Sequence, residues 1–261
     1  MDLYFFLDSH EFEPAITVSS FSPSGLLPDS LESDVFISIA YPNDGVWIIK
    51  THTQVADYSS VSILASDLEI PREKVSSALV FLSSEKMDGE YSELPEVIGF
   101  NSRPSWRGNL RIIGKGTSVS YQGEMPYGMT KIKGGSIVSL IPFFQEGASI
   151  KNYLFFASFN SNPTEKKGTL ELRDIQSKQI LATFSLDSNK VNFLDLSDIN
   201  FDSGQLLLVT KGIMGIPIFF SVDEQGKKMS LEHTMTPSEY SINGEQSVRR
   251  SIMQRMKSYW S

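Results

Sequence analysis

The chain is a succession of short apolar runs broken at close intervals by turn residues. Residues 35–41 are followed by Pro42-Asn43-Asp44-Gly45 and then by a second apolar run at 46–49, which predicts an Asp-Gly hairpin between two strands. The second half repeats the pattern. Residues 169–173 alternate between apolar and polar, turn at 175–178 and return as 180–186. Runs at 191–196 and 205–209 follow, and 216–222 turns through Asp223-Glu224-Gln225-Gly226 into 228–232. Strands at this spacing, joined by polar turns with no long helix between them, predict a mostly β protein. The expected architecture is an antiparallel β-sandwich or jelly roll, as one unit or as two packed sandwiches. Pro217 places its strand at a sheet edge or at a strand start, because proline cannot donate to a ladder.

Helical patterning is confined to two places. Residues 71–82 carry Val75, Ala78, Leu79 and Leu82 on one helical face, with Pro71 suited to the first turn, yet 78–82 also reads as a buried strand. Periodicity leaves both open. Residues 244–260 predict an amphipathic C-terminal helix. Val248, Ile252, Met256, Tyr259 and Trp260 form its stripe, and Arg249, Arg250, Arg255 and Lys257 occupy the other side. Asn243 suits its N-cap, and the late cations suit the negative end of the helix dipole.

The polar break at 145–149 marks a boundary. It divides an irregular β-rich region, 1–145, from a compact antiparallel sandwich, 151–240, with the helix 244–260 behind it. The first region is either a sandwich of its own or additional strands on one larger sheet pair.

Composition narrows the function classes. The 261 residues are 40% hydrophobic and 21% charged, enough apolar material for a sizeable core. A net charge of −8 repels phosphate backbones, so nucleic acid is not an expected partner. There is no cysteine, which removes disulfides and thiolate metal sites. The start, Met1-Asp2-Leu3-Tyr4-Phe5-Phe6-Leu7-Asp8, lacks a basic segment and its apolar run is short. No run approaches the roughly 20 apolar residues of a membrane span. A cytoplasmic protein without membrane contact is the expectation.

The candidate chemistry concentrates at 101–129. Arg103, Trp106 and Arg107 lie in one turn-rich stretch, and Tyr121, Gln122 and Glu124 in the next. Flat aromatic faces beside planar hydrogen-bonding groups suit a sugar, whose ring face is apolar and whose rim is hydroxylated. The opposing interpretation is that the aromatics plug the end of a sandwich. Three histidines, His10, His52 and His233, are further candidates, but none shows metal-ligand spacing, so no metal is expected. His233 stands out because it ends a strand and enters a Thr/Pro/Ser loop. Asp195, Asp198 and Asp202 form an acidic cluster without the spacing of an EF-hand. Gly114-Lys115-Gly116-Thr117 lacks the frame of a phosphate loop, and no dinucleotide fingerprint or nucleophile elbow is present, so no cofactor is expected.

Three function classes follow. The leading one is a β-sandwich module that binds a carbohydrate, a similar polar ligand or a partner protein. The second is an enzyme acting on a sugar or sugar derivative, with Glu124 and His233 as acid and base. The third is a structural or assembly protein, in which the candidate site residues hold subunits together; separately, the C-terminal helix is a candidate for joining a homo-oligomer. The helix supplies the test. Its stripe is too short to be stable alone in water and must be buried. Truncation after Gly244 should lower the urea midpoint at unchanged mass if the stripe docks on its own chain, and should dissociate the protein in light scattering if it bridges subunits. No change in either property contradicts the helix.

Overall fold

The computed structural model of the chain describes residues 2–9, 11–20, 35–56, 59–96, 108–132, 134–135, 137–140, 149–174, 177–199, 206–233 and 254. In chain order the strands are β1 Asp2–Phe5, β2 Glu13–Ser20, β3 Val35–Asn43, β4 Val46–Val55, β5 Ser59–Leu64, β6 Leu79–Ser83, β7 Gly89–Tyr91, β8 Asn109–Ile113 and β9 Ser118–Gln122. They continue as β10 Met125–Pro126, β11 Ile137–Leu140, β12 Ile150–Ser158, β13 Lys167–Asp174, β14 Ile180–Asp187, β15 Lys190–Asp195, β16 Leu206–Lys211, β17 Ile216–Asp223 and β18 Met229–His233. The protein is mostly β, and every pairing is antiparallel. The expected C-terminal helix falls almost wholly outside the described residues.

Four sheets result. Sheet I has the order β10-β1-β6-β3-β4-β7, sheet II β5-β2-β8-β9, sheet III β15-β12-β17-β18 and sheet IV β11-β16-β13-β14. Sheet III sits between the others. On β12, Tyr153, Phe155 and Ala157 join a large core shared with sheets I and II, while Leu154 and Phe156 join a second core shared with sheet IV. The central strand β17 does the same, with Ile218 and Phe220 on one side and Phe219 on the other. This is why these strands read as continuous apolar runs: a strand covered on both faces loses its polar alternation. β11 precedes the polar break at 145–149, yet it completes sheet IV by pairing with β16.

Local chemistry sets the turns. Asp44 and Gly45 both have positive φ, at 48° and 82°, which makes the β3–β4 connection a two-residue turn of type I′. The segment left open between helix and strand divides: Arg72–Ser77 is a 3₁₀ turn, and the chain then extends into β6, a strand paired on both sides. Pro217 is the second residue of an inner strand. β18 pairs only from Ile218 onward, so of the two expected settings it is the strand start that applies. Between sheets IV and III the chain crosses at Ser188-Asn189. The Asn192 amide there donates to Phe156 O and Asp187 O, and its oxygen accepts from Asp187 N.

Glu171 is buried on β13, on the face of sheet IV opposite Leu170 and Leu172. Lys211 Nζ and the Arg173 guanidinium both donate to its carboxylate. The Lys211 ammonium, with Arg173 in support, holds the Glu171 carboxyl below the usual carboxylate range, outweighing burial, which pushes it up. A depressed folded-state value stabilises above the unfolded value of about 4.3, and that stability is lost as pH falls through the folded value. Glu171→Gln should therefore lower the urea midpoint at pH 7, with the gap to the wild type closing below about pH 4. A gap that does not change with pH contradicts this role.

Candidate functional site

A cleft of about 220 Å³ opens beside sheet I, lined by Ile39, Tyr41, Lys50, Thr51, His52, Asp67, Glu69 and Ile70. One wall is strand. Between Ile37 and Ser38 the β3–β4 register slips, pairing Ile37 with Thr53 and Ser38 with Thr51, so that His52 is the extra residue of a β-bulge. A bulge leaves one residue out of the ladder and re-aims its side chain. The backbone released here is held elsewhere. Thr51 N donates to Asp88 Oδ1 at 2.9 Å, Met87 N to Thr51 Oγ1 at 2.8 Å, and Thr51 Oγ1 to Met87 O at 3.3 Å.

The other wall is the segment after β5. A 3₁₀ turn, Ala65–Asp67, is held at its start by Ser66 N donating to Glu13 Oε1 at 2.8 Å. At its far end the Arg72–Ser77 turn is pinned twice. Arg72 donates two 2.7 Å hydrogen bonds to the buried carboxylate of Asp8, and Lys74 Nζ reaches Pro42 O at 3.1 Å. Asp67 and Glu69 therefore stand on a braced loop.

The charges of the two walls differ in sign and do not neutralise each other. Lys50, His52, Asp67 and Glu69 are exposed, and their side chains form no hydrogen bond or ion pair with another described residue. Elsewhere on the surface charged groups do pair, as Lys167 does with Glu165 and Asp187. The cleft thus offers donors on one side, acceptors on the other, and apolar surface from Ile39, Ile70 and Tyr41 between them.

The site expected from the sequence is only partly described. Arg103, Trp106 and Arg107 lie outside the described residues, as do His10 and Asp202. Tyr121 is half-buried and packs on the large core, whereas Gln122 is exposed on the opposite face of β9. A Cβ on Gly123 would overlap the Tyr121 ring, so the ring lies across that glycine. Glu124 follows in the β9–β10 turn with one carboxylate oxygen buried. Gly123 N donates to Gly108 O at 3.1 Å, which ties the start of β8 to this turn. The strands β9 and β18 lie alongside each other, and the hairpin tips at Gly114 and at Gly226–Met229 are packed together. The backbone of His233 consequently ends near the same corner as Gln122, while His52 stands in the separate cleft.

Of two other candidates, the glycine-rich one resolves into turn chemistry, and the acidic cluster is described only at Asp195 and Asp198. Gly114-Lys115-Gly116-Thr117 is the β8–β9 hairpin turn, with Gly114 N donating to Thr117 O and Gly116 at φ 88°. Asp195 Oδ1 accepts from Ser197 N. Among the described residues no group of three or more His, Asp or Glu side chains could hold a metal ion, and no helix is long and apolar enough to cross a membrane.

Asp67 and Glu69 escaped the sequence reading, which ended the β4 strand at Ile49. For His52 the available signal was the polar stretch Lys50–Gln54, which lies inside the continuous strand β4. No family model, curated protein or solved structure matches the chain.

The two faces of β9 give a direct check. Tyr121→Ala should cost about 2 kcal/mol of unfolding free energy, since it strips a half-buried ring from the core. Gln122→Ala should stay within about 0.5 kcal/mol. Equal effects by urea denaturation contradict the assignment of Tyr121 to packing.

Proposed function

We propose that the protein is a β-sandwich module that binds a carbohydrate or similar polar ligand in the His52 cleft. The observation that carries this reading is the set of unneutralised polar side chains, Lys50 and His52 facing Asp67 and Glu69, across a cleft with apolar surface between. A hydroxylated ring uses all three kinds of contact. Its hydroxyls donate to the carboxylates and accept from Lys50 and His52, and its apolar face covers Tyr41. Exposed side chains in an open cleft recognise a ligand better than they move protons, because catalytic groups are tuned by burial and close charged neighbours.

An enzyme with Glu124 and His233 as acid and base is the second reading. It is favoured by one observation, the arrival of the β9–β10 turn and the end of β18 at a common corner.

The experiment is a screen of immobilised mono- and oligosaccharides against the full chain, followed by titration of any sugar retained. His52→Ala and Asp67→Asn should each weaken binding about 10-fold or more, as expected for a charge-assisted hydrogen bond, at unchanged melting temperature. Binding that survives both substitutions but is lost on Glu124→Gln moves the site to the β9–β10 corner. No retention of any sugar removes the carbohydrate reading.

A further inference from the structure

The ionisable side chains that line the His52 cleft are sorted by sign. Lys50 and His52 belong to β4, where Lys50 pairs with Ile39 across the ladder. Asp67 and Glu69 belong to the facing loop. Leu68 between them is buried in the large core, which fixes this stretch and leaves its two neighbours exposed. Like charges on one short segment repel unless a cation meets them. Here neither carboxylate meets a cation of the described chain, and Lys50 meets no carboxylate.

Few neutral groups are left for a ligand to use. Thr51 Oγ1 is engaged twice with the Met87 backbone, accepting from Met87 N at 2.8 Å and donating to Met87 O at 3.3 Å. Apart from the Tyr41 hydroxyl and the His52 imidazole, the polar side chains that remain are one ammonium and two carboxylates. A neutral ligand would strip water from these charges and return only neutral hydrogen bonds. A ligand that brings the opposite charge to each wall returns charge-assisted bonds, which are roughly twice as strong. The volume of about 220 Å³ lies below the roughly 300–1,000 Å³ of pockets for drug-sized molecules, which suits a single sugar ring.

We infer that the ligand of the His52 cleft is a zwitterion of monosaccharide size, with an ammonium received by Asp67 and Glu69 and a carboxylate received by Lys50. This rests on the reading of the cleft as a carbohydrate site and narrows it from sugars in general to amino sugar acids. The sorted charges also set the orientation. The ammonium points to the 65–70 loop and the carboxylate to β4, and the apolar face of the ring covers Ile39, Tyr41 and Ile70 between them.

Titration calorimetry of the full chain at about pH 6, where amines and carboxylates are both charged, separates the contributions. Muramic acid, a glucosamine that bears a lactyl carboxylate, carries both charges. N-acetylmuramic acid lacks the cation, glucosamine lacks the anion, glucose lacks both, and δ-aminovalerate keeps both without the ring. Muramic acid should bind about 10-fold or more tighter than each of the other three sugars. Asp67→Asn/Glu69→Gln should abolish its advantage over N-acetylmuramic acid, and Lys50→Gln its advantage over glucosamine. Both variants should melt as the wild type does, because these side chains are exposed. Equal binding of muramic acid, glucosamine and glucose overturns the zwitterion and leaves the carbohydrate reading standing. Equal binding of δ-aminovalerate and muramic acid, with glucose excluded, supports the two-charge ligand and removes the carbohydrate reading. Variants that weaken every probe alike, or binding by none of the probes, overturn the inference.

Discussion

The structure depends on the burial of sheet III on both faces. Phe155 and Phe156 are neighbours on β12, point to opposite sides and are both fully buried, one in each core. Removing each ring from water contributes roughly 2–3 kcal/mol, and the same double burial recurs at Phe219 and Phe220 on β17. A sheet in this position is covered on both faces: its large core is built from residues on both sides of the polar break at 145–149, and the described residues of its second core all follow that break. The aromatic contacts follow the same geometry. Phe220 packs edge-on against Phe12 from the loop before β2, with ring centroids 5.7 Å apart, and Phe159 lies 6.1 Å from Phe5 of β1.

Such a frame needs polar groups to close its crossings. Asn192, buried between two core layers, gives its amide to the backbone at Phe156 and Asp187, and Asn189 holds the adjoining turn through Asn160, Asn162 and Thr164. Unpaired, such amides would cost stability; paired, they fix where the chain passes from sheet IV to sheet III. The same logic reaches the cleft. Buried Asp8 is tolerated because Arg72 meets it with two hydrogen bonds, and that pair anchors the end of the acidic wall. The bulge that presents His52 is likewise stabilised from behind by Asp88 and Met87. Rigid scaffold and open polar rim are thus supplied by different residues, the arrangement a binding site requires.

The strands of the second half were legible because apolar runs and turns there coincide. The runs at 169–173, 180–186, 216–222 and 228–232 differ from the observed strands by a few residues at most. The Asp44-Gly45 turn was legible for a sharper reason, since few dipeptides accept positive φ at both positions. The first half was harder. β1 gains its identity from pairing with β6 and β10, which no local pattern encodes, and the bulge at His52 is a register slip invisible to alternation. At 71–82 the helical spacing of Val75, Ala78 and Leu82 was genuine, but tertiary pairing with β1 and β3 took the second half of the segment into a strand. The candidate site depended on convergence: Asp67 and His52 are 15 positions apart, and only the packing of the 65–70 loop over sheet I brings them to one cleft.

Native-state hydrogen exchange of Phe155→Ala tests the role of sheet III most directly. The ring lies in the large core only, and its loss should cost about 3–5 kcal/mol. If sheet III joins both cores into one cooperative unit, the slowest amides of β3 and β6 and those of β13 and β16 should lose protection by the same free energy. Loss confined to β3 and β6, with β13 and β16 exchanging as in the wild type, would contradict the account.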